Sequence, residues 1–274
     1  MKFLKLLCIL FISTNSFSQA AMHVANAVNI AGKQRMLGQR MAKDKLFIKA
    51  NVKSDKATKE LEKTIIDFQK GLRALKSFAP TPNIKYKLEI QEYVFKDYKK
   101  AILDKSKESF QKIVNSNTLF LNICDDVVTA IIEHAKTLPV NTTNKAGNYV
   151  AGKVAEATGA SGKLRYLTQR LTLYFAMNEF GYKEVSSEEL DEIVKTLDKN
   201  LNYLTVLEFN TLEIDDALGQ VTYYWSQLKD KLYKDGKVNL KTATINADEM
   251  YDIANNVLSK ANYATKLYAD LNKQ

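Results

Sequence analysis

Two arginines, Arg35 and Arg165, each stand three positions after a glycine, Gly32 and Gly162, in stretches otherwise rich in small and apolar residues. A guanidinium is a permanent cation with a planar fork of N–H donors, the geometry that suits a bidentate oxyanion such as nitrate, phosphate or carboxylate. Buried in a packed helix seam, it costs stability unless something negative meets it. Two such groups facing each other repel unless an anion lies between them. The chemistry these residues can do is therefore binding, with Arg35 and Arg165 as the cations that would hold the anion.

Other reactive residues offer less. His23 and His134 are isolated on different helices and lack the spacing of a metal pair. Asp125 and Asp126 point about 100° apart on a helix and read as solvated charges. Cys124 lies in an apolar helical stretch and reads as a small buried hydrophobe. No nucleophile elbow, phosphate loop or Cys–His pairing occurs. An enzyme is not expected, and neither a cofactor nor a metal.

The arginines belong to a repeat. Ala31-Gly32-Lys33-Gln34-Arg35-Met36-Leu37-Gly38-Gln39-Arg40-Met41 returns 130 positions later as Ser161-Gly162-Lys163-Leu164-Arg165-Tyr166-Leu167-Thr168-Gln169-Arg170-Leu171. Leu61, Phe68, Leu72 and Leu75 fall against Leu190, Leu197, Leu201 and Leu204, and Ile123 and Val127 against Ile253 and Val257. Such self-similarity indicates a duplication. In the first copy, helical periodicity predicts segments over about 21–50, 55–78, 84–104 and 108–137, with Pro80 and Pro82 ending the second. Four amphipathic helices with short connections predict an antiparallel four-helix bundle in each copy. The expected organisation is a signal peptide at 1–18, a first bundle at 19–138, a linker at 139–147 and a second bundle at 148–274.

On a helical wheel the first helix has two apolar faces. Ile30, Leu37, Met41 and Ile48 form one, and Val24, Val28, Gly32, Arg35, Gln39, Ala42 and Leu46 the other. The second copy places Val154, Thr158, Gly162, Arg165, Gln169, Thr172 and Ala176 on the matching stripe. A helix with two such faces packs on both sides. The fold class expected is all-α, two tandem bundles packed as a pseudo-dimer through parallel first helices. Arg40 and Arg170 lie about 140° from the arginines of the stripe and should leave the seam.

The chain carries a formal charge of +9. Its start combines Lys2 and Lys5 with the apolar run Leu6 to Ile12 and small residues near Ser18, the pattern of an export signal. Removing it takes away Lys2 and Lys5 and lowers the charge from +9 to +7. The basic residues are interspersed with acidic ones and form no recognition motif, so nucleic acid is not an expected partner. No later apolar run reaches the roughly 18 residues of a membrane span. The expected location is the periplasm.

The repeated segment resembles the first-helix signature of the PilJ-type domain, the N-terminal part of type IV pilus chemoreceptors. It is also similar to the A-G-x-x-R-M-x-x-x-R box of NarX-type nitrate sensors. The second copy is a degenerate version, with Ser161 for the alanine and Tyr166 for the methionine. The resemblance implies a periplasmic helical sensor that binds nitrate or nitrite between matching arginines of parallel first helices. Carried over, those positions are Gly32, Arg35, Gly162 and Arg165. The expected ligand is a small anion of the nitrate, nitrite or carboxylate class. With no transmitter region expected in this chain, a membrane-bound signalling partner would take up the signal. The competing expectation is a structural or protein-interaction module whose arginines pair with carboxylates.

Overall fold

A computed structural model describes residues 22–106, 108–138 and 151–271. The expected signal at 1–18 and the linker at 139–147 lie outside the described residues. The architecture is all-helical, with eight α-helices among those residues: α1 (Val24–Lys49), α2 (Ser54–Phe78), α3 (Pro82–Leu103), α4 (Ser109–Lys136), α5 (Ala151–Glu179), α6 (Ser187–Thr205), α7 (Leu212–Leu232) and α8 (Ala247–Asp270).

Local chemistry accounts for the boundaries. Pro82 opens α3, where its missing N–H costs nothing, and the Thr81 hydroxyl accepts from the Ile84 amide at 3.3 Å. Ser186 and Glu189 form a reciprocal capping box at the start of α6. Ser186→Ala should therefore cost about 1 kcal/mol. A thermal melt should show a fall of roughly 2–4 °C, and an unchanged melting point would deny the cap its role.

Side-chain pairs give the directions of the helices. Lys33 meets Asp67 and Lys43 meets Glu60, so α2 runs back along α1. Arg35 meets Asp125 and the backbone at Gly38 lies near Phe120, which places α4 antiparallel to α1. Gln91 with Cys124 and Tyr98 with Asn117 set α3 antiparallel to α4. In the second half, Ser161 with Thr265 and Glu179 with Ala247 set α8 antiparallel to α5. Asp198 with Trp225 and Lys229 joins α6 to α7.

Helix α1 also packs extensively on α5. Val28 lies near Gly159, Gly32 near Gly162, and the Phe47 ring sits 5.6 Å from that of Phe180. These pairs follow the same order along both helices, so α1 and α5 run in the same direction. The stripe residues Val24, Val28, Gly32, Arg35, Gln39, Ala42 and Leu46 are all buried, as are their counterparts on α5. Each buried Val, Leu or Phe adds about 1.5–3 kcal/mol over exposure.

One feature departs from the sequence expectation. Tyr233–Lys234 and Lys237–Val238 pair as a short hairpin, β1 and β2, where only helix was expected. Its turn is Asp235-Gly236, both at positive φ, the dipeptide that suits a tight hairpin turn. The hairpin docks on α6, where Asp191 accepts from the Tyr233 hydroxyl at 2.7 Å and the Val238 amide at 3.3 Å. Lys43 and Asp44 are fully buried, because α8 closes over that part of α1 with Tyr251.

Candidate functional site

All four expected site residues converge where α1 and α5 meet. A Cβ added to Gly32 would lie 3.0 Å from the Arg165 Nη2, 3.4 Å from the Arg35 Nη2 and 3.9 Å from the Gly162 Cα. One added to Gly162 would lie 3.1 Å from the Arg35 Nη2 and 3.2 Å from that of Arg165. The glycines thus leave room for both guanidinium ends beside closely approaching backbones. A methyl group at either position would make the guanidinium ends give way by a few tenths of an ångström.

Both arginines are buried, with 1% and 2% of their surface exposed. Their partners differ. Arg35 donates from Nη1 to the Asp125 carboxylate and from Nη2 to the Gly159 carbonyl at 3.1 Å, and its guanidinium lies 5.1 Å from the centre of the Tyr166 ring. Arg165 meets only neutral oxygens among its recorded contacts. It donates from Nη1 to Asn29 Oδ1 at 2.9 Å and Asn262 Oδ1 at 3.4 Å, and from Nη2 to the Asn29 carbonyl at 3.1 Å. Burial, and then the neighbouring Arg35 charge, lower its pKa to about 9, which still leaves it a cation at neutral pH.

The expectation of Asp125 and Asp126 as two solvated charges is corrected here. Asp126 stays largely exposed, 3.5 Å from Lys87; Asp125 is also 46% exposed, but it pairs with the buried Arg35. Position 255, the counterpart of Asp125 in the second half, is asparagine. Among the described residues Arg35 therefore has a carboxylate partner and Arg165 has none. Sequence reasoning also missed Asn29 and Asn262. Neither sits in the repeated motif, and only the rotation of α1 and α8 about their axes brings them to Arg165.

Unmet hydrogen-bonding groups surround the arginine pair. The Nε atoms of Arg35 and Arg165 are buried without a hydrogen-bond partner among the described residues. One turn further on, Gln39 and Gln169 are completely buried, and neither amide has a partner among those residues. Buried donors left without partners are costly.

Access exists on one side. Arg35 and Asp125 line a cleft of about 320 Å³ that Lys163, Glu156 and Tyr203 also border. Two of the other cations of the two segments have partners outside the seam. Lys33 pairs with Asp67 at 3.1 Å, and Arg170 donates to Thr118 Oγ1 at 3.1 Å and to the Tyr174 hydroxyl.

Cys124 is buried and accepts from Gln91 Nε2 at 3.1 Å; burial pushes its thiol up to about 12, so it is not a nucleophile. Among the described residues no group of three or more His, Cys, Asp or Glu side chains is placed to hold a metal ion. No helix among them is long and apolar enough to cross a membrane.

No curated protein and no solved structure matches the chain. One family does: residues 17–115, which contain α1 to α3 with Gly32 and Arg35, are similar to the type IV pili methyl-accepting chemotaxis transducer N-terminal domain.

Proposed function

We propose that this chain is an exported, periplasmic sensory module of the chemoreceptor type that holds a small oxyanion between Arg35 and Arg165. In this reading the chain is two antiparallel four-helix bundles, 19–138 and 148–274, arranged as a pseudo-dimer through the parallel helices α1 and α5. The second bundle is a divergent copy of the first, and the seam resembles that of NarX-like sensors. Nitrate, nitrite or a small carboxylate would sit against Gly32 and Gly162, and a membrane-bound partner would read the change in the seam.

The observation that carries the proposal is the charge imbalance: two buried guanidiniums meet with one carboxylate, Asp125, between them. A bound monoanion would supply the missing charge and accept from the orphaned Nε donors. The cleft beside Arg35 offers a route to its side of the seam.

One observation favours the alternative, a structural or protein-interaction module without a ligand. Arg35 is already paired with Asp125, so half of the charge is met within the chain. The two readings predict different responses to anions. In a thermal-shift and calorimetric titration at constant ionic strength, nitrate, nitrite or acetate should give saturable stabilisation and heat that chloride does not. A response no larger than that of chloride for every one of these anions would leave only the interaction reading.

A further inference from the structure

A second cleft, of about 680 Å³, opens at the end of the first four helices, away from the arginine seam. Lys45 on its wall lies ten residues beyond Arg35, or about 15 Å along α1. Its volume falls in the range that accommodates organic ligands. The walls are apolar: Ile48 from α1, Leu61 and Ile65 from α2, and Ile102 and Leu103 from the end of α3. Leu103 is 54% exposed at the mouth, an apolar surface that a ligand would cover.

Charge on this cleft is one-sided. Among the described residues Lys45, Lys49 and Lys105 line it, against Glu62 as the one acid on its wall. Lys45 is partly desolvated, and its Nζ donates to the Asp104 carbonyl at 2.6 Å. Burial lowers its pKa; Asp104 opposes that shift, and the charges of Lys49 and Lys105 lower it further, so the three ammonium groups share one field. The Asp104 carboxylate, held ionised by the Ser106 amide at 2.8 Å and the Ser106 hydroxyl at 2.9 Å, offsets part of this charge.

An apolar trough with cations along one side selects a ligand that is apolar over its body and anionic at one end. A small inorganic anion would leave the trough wet, and a neutral hydrocarbon would leave the excess positive charge of the wall unused. We propose that this cleft is a second ligand site, which takes a free carboxylate bearing an alkyl or aryl body. The head would lie toward Lys45 and Lys105 and the body over Leu61, Ile65 and Leu103. The site is independent of the seam reading and stands whether or not that reading holds.

Decanoate, below the concentration at which it forms micelles, is the probe. Calorimetry on the full chain should show saturable one-to-one binding, whereas decyltrimethylammonium should not bind. The double variant K45Q/K105Q should weaken decanoate by about tenfold or more. Leu103→Asp, at an exposed position that the fold does not depend on, should weaken it as well. Arg165→Met should leave it unchanged, which separates this site from the seam. Vesicles of anionic phospholipid distinguish a free ligand from a membrane acyl chain. Sedimentation of the protein with vesicles in the absence of decanoate binding overturns the proposal. So does equal binding of the decyl cation, or decanoate affinity that survives both the lysine and the Leu103 variants.

Discussion

Replacing Arg165 with methionine is expected to raise the stability of the anion-free protein by about 1–4 kcal/mol. The arginine is buried and still charged at neutral pH, and its recorded partners are the amide and carbonyl oxygens of Asn29 and Asn262, with no carboxylate. Methionine fills a similar volume with an unbranched chain. It removes the desolvated charge, the orphaned Nε and the repulsion with Arg35. The loss of hydrogen bonds to the two asparagines offsets part of that gain, at about 1 kcal/mol each. A protein of this size should melt roughly 2–4 °C higher for each kcal/mol gained. The same variant should lose any stabilisation by nitrate or acetate. A lower melting point for Arg165→Met in anion-free buffer would show that the guanidinium is fully compensated within the chain. It would remove the main support for a ligand at the seam.

Asp44→Asn is the second large effect, and it is visible only as a function of pH. Asp44 is completely buried beside Lys43 at 3.2 Å, with Glu60, Arg40 and the Tyr251 hydroxyl around the same cluster. Burial raises its pKa from 3.8 to about 7; Glu60 adds to the rise, while Lys43 and Arg40 oppose it. The folded protein therefore holds a proton that the unfolded chain has released across roughly pH 4 to 7. Stability falls as pH rises through that window, and above it the full cost of the buried carboxylate is present. Three pH units correspond to at most about 4 kcal/mol. The asparagine variant should match the wild type near pH 4 and exceed it at pH 8, in denaturant melts taken across the range. Lys43 keeps Glu60 as a partner at 3.3 Å in that variant. Identical pH slopes between 4 and 7 for the two proteins would mean that Asp44 is already ionised in the fold.

What could be read beforehand was whatever depends on one helix at a time. The bounds of α1 to α4 follow from periodicity and from Pro80 and Pro82, and the buried stripe of Gly32, Arg35 and Gln39 follows from a wheel. Contacts set by the rotation of one helix against another were not legible. Asp125 and Asp126 are chemically identical neighbours, and only the phase of α4 against α1 decides that Asp125 meets Arg35. Lys43 and Asp44 look like surface residues on α1 because the helix that covers them, α8, lies more than two hundred positions away. The hairpin left a readable signal in Asp235-Gly236, but its two-residue strands are too short to show alternation.

The contact between α1 and α5 has one more consequence. Both helices belong to one chain, so the seam closes at an effective concentration fixed by the polypeptide between them, and dilution does not open it. Two separate subunits could exchange partners or respond to their own abundance; this chain cannot. In the proposed site the single carboxylate would also remove any twofold degeneracy. An anion between Arg35 and Arg165 would meet a fork paired with an acid on one side and a fork held by neutral oxygens on the other, and so would have one preferred orientation in place of two equivalent ones.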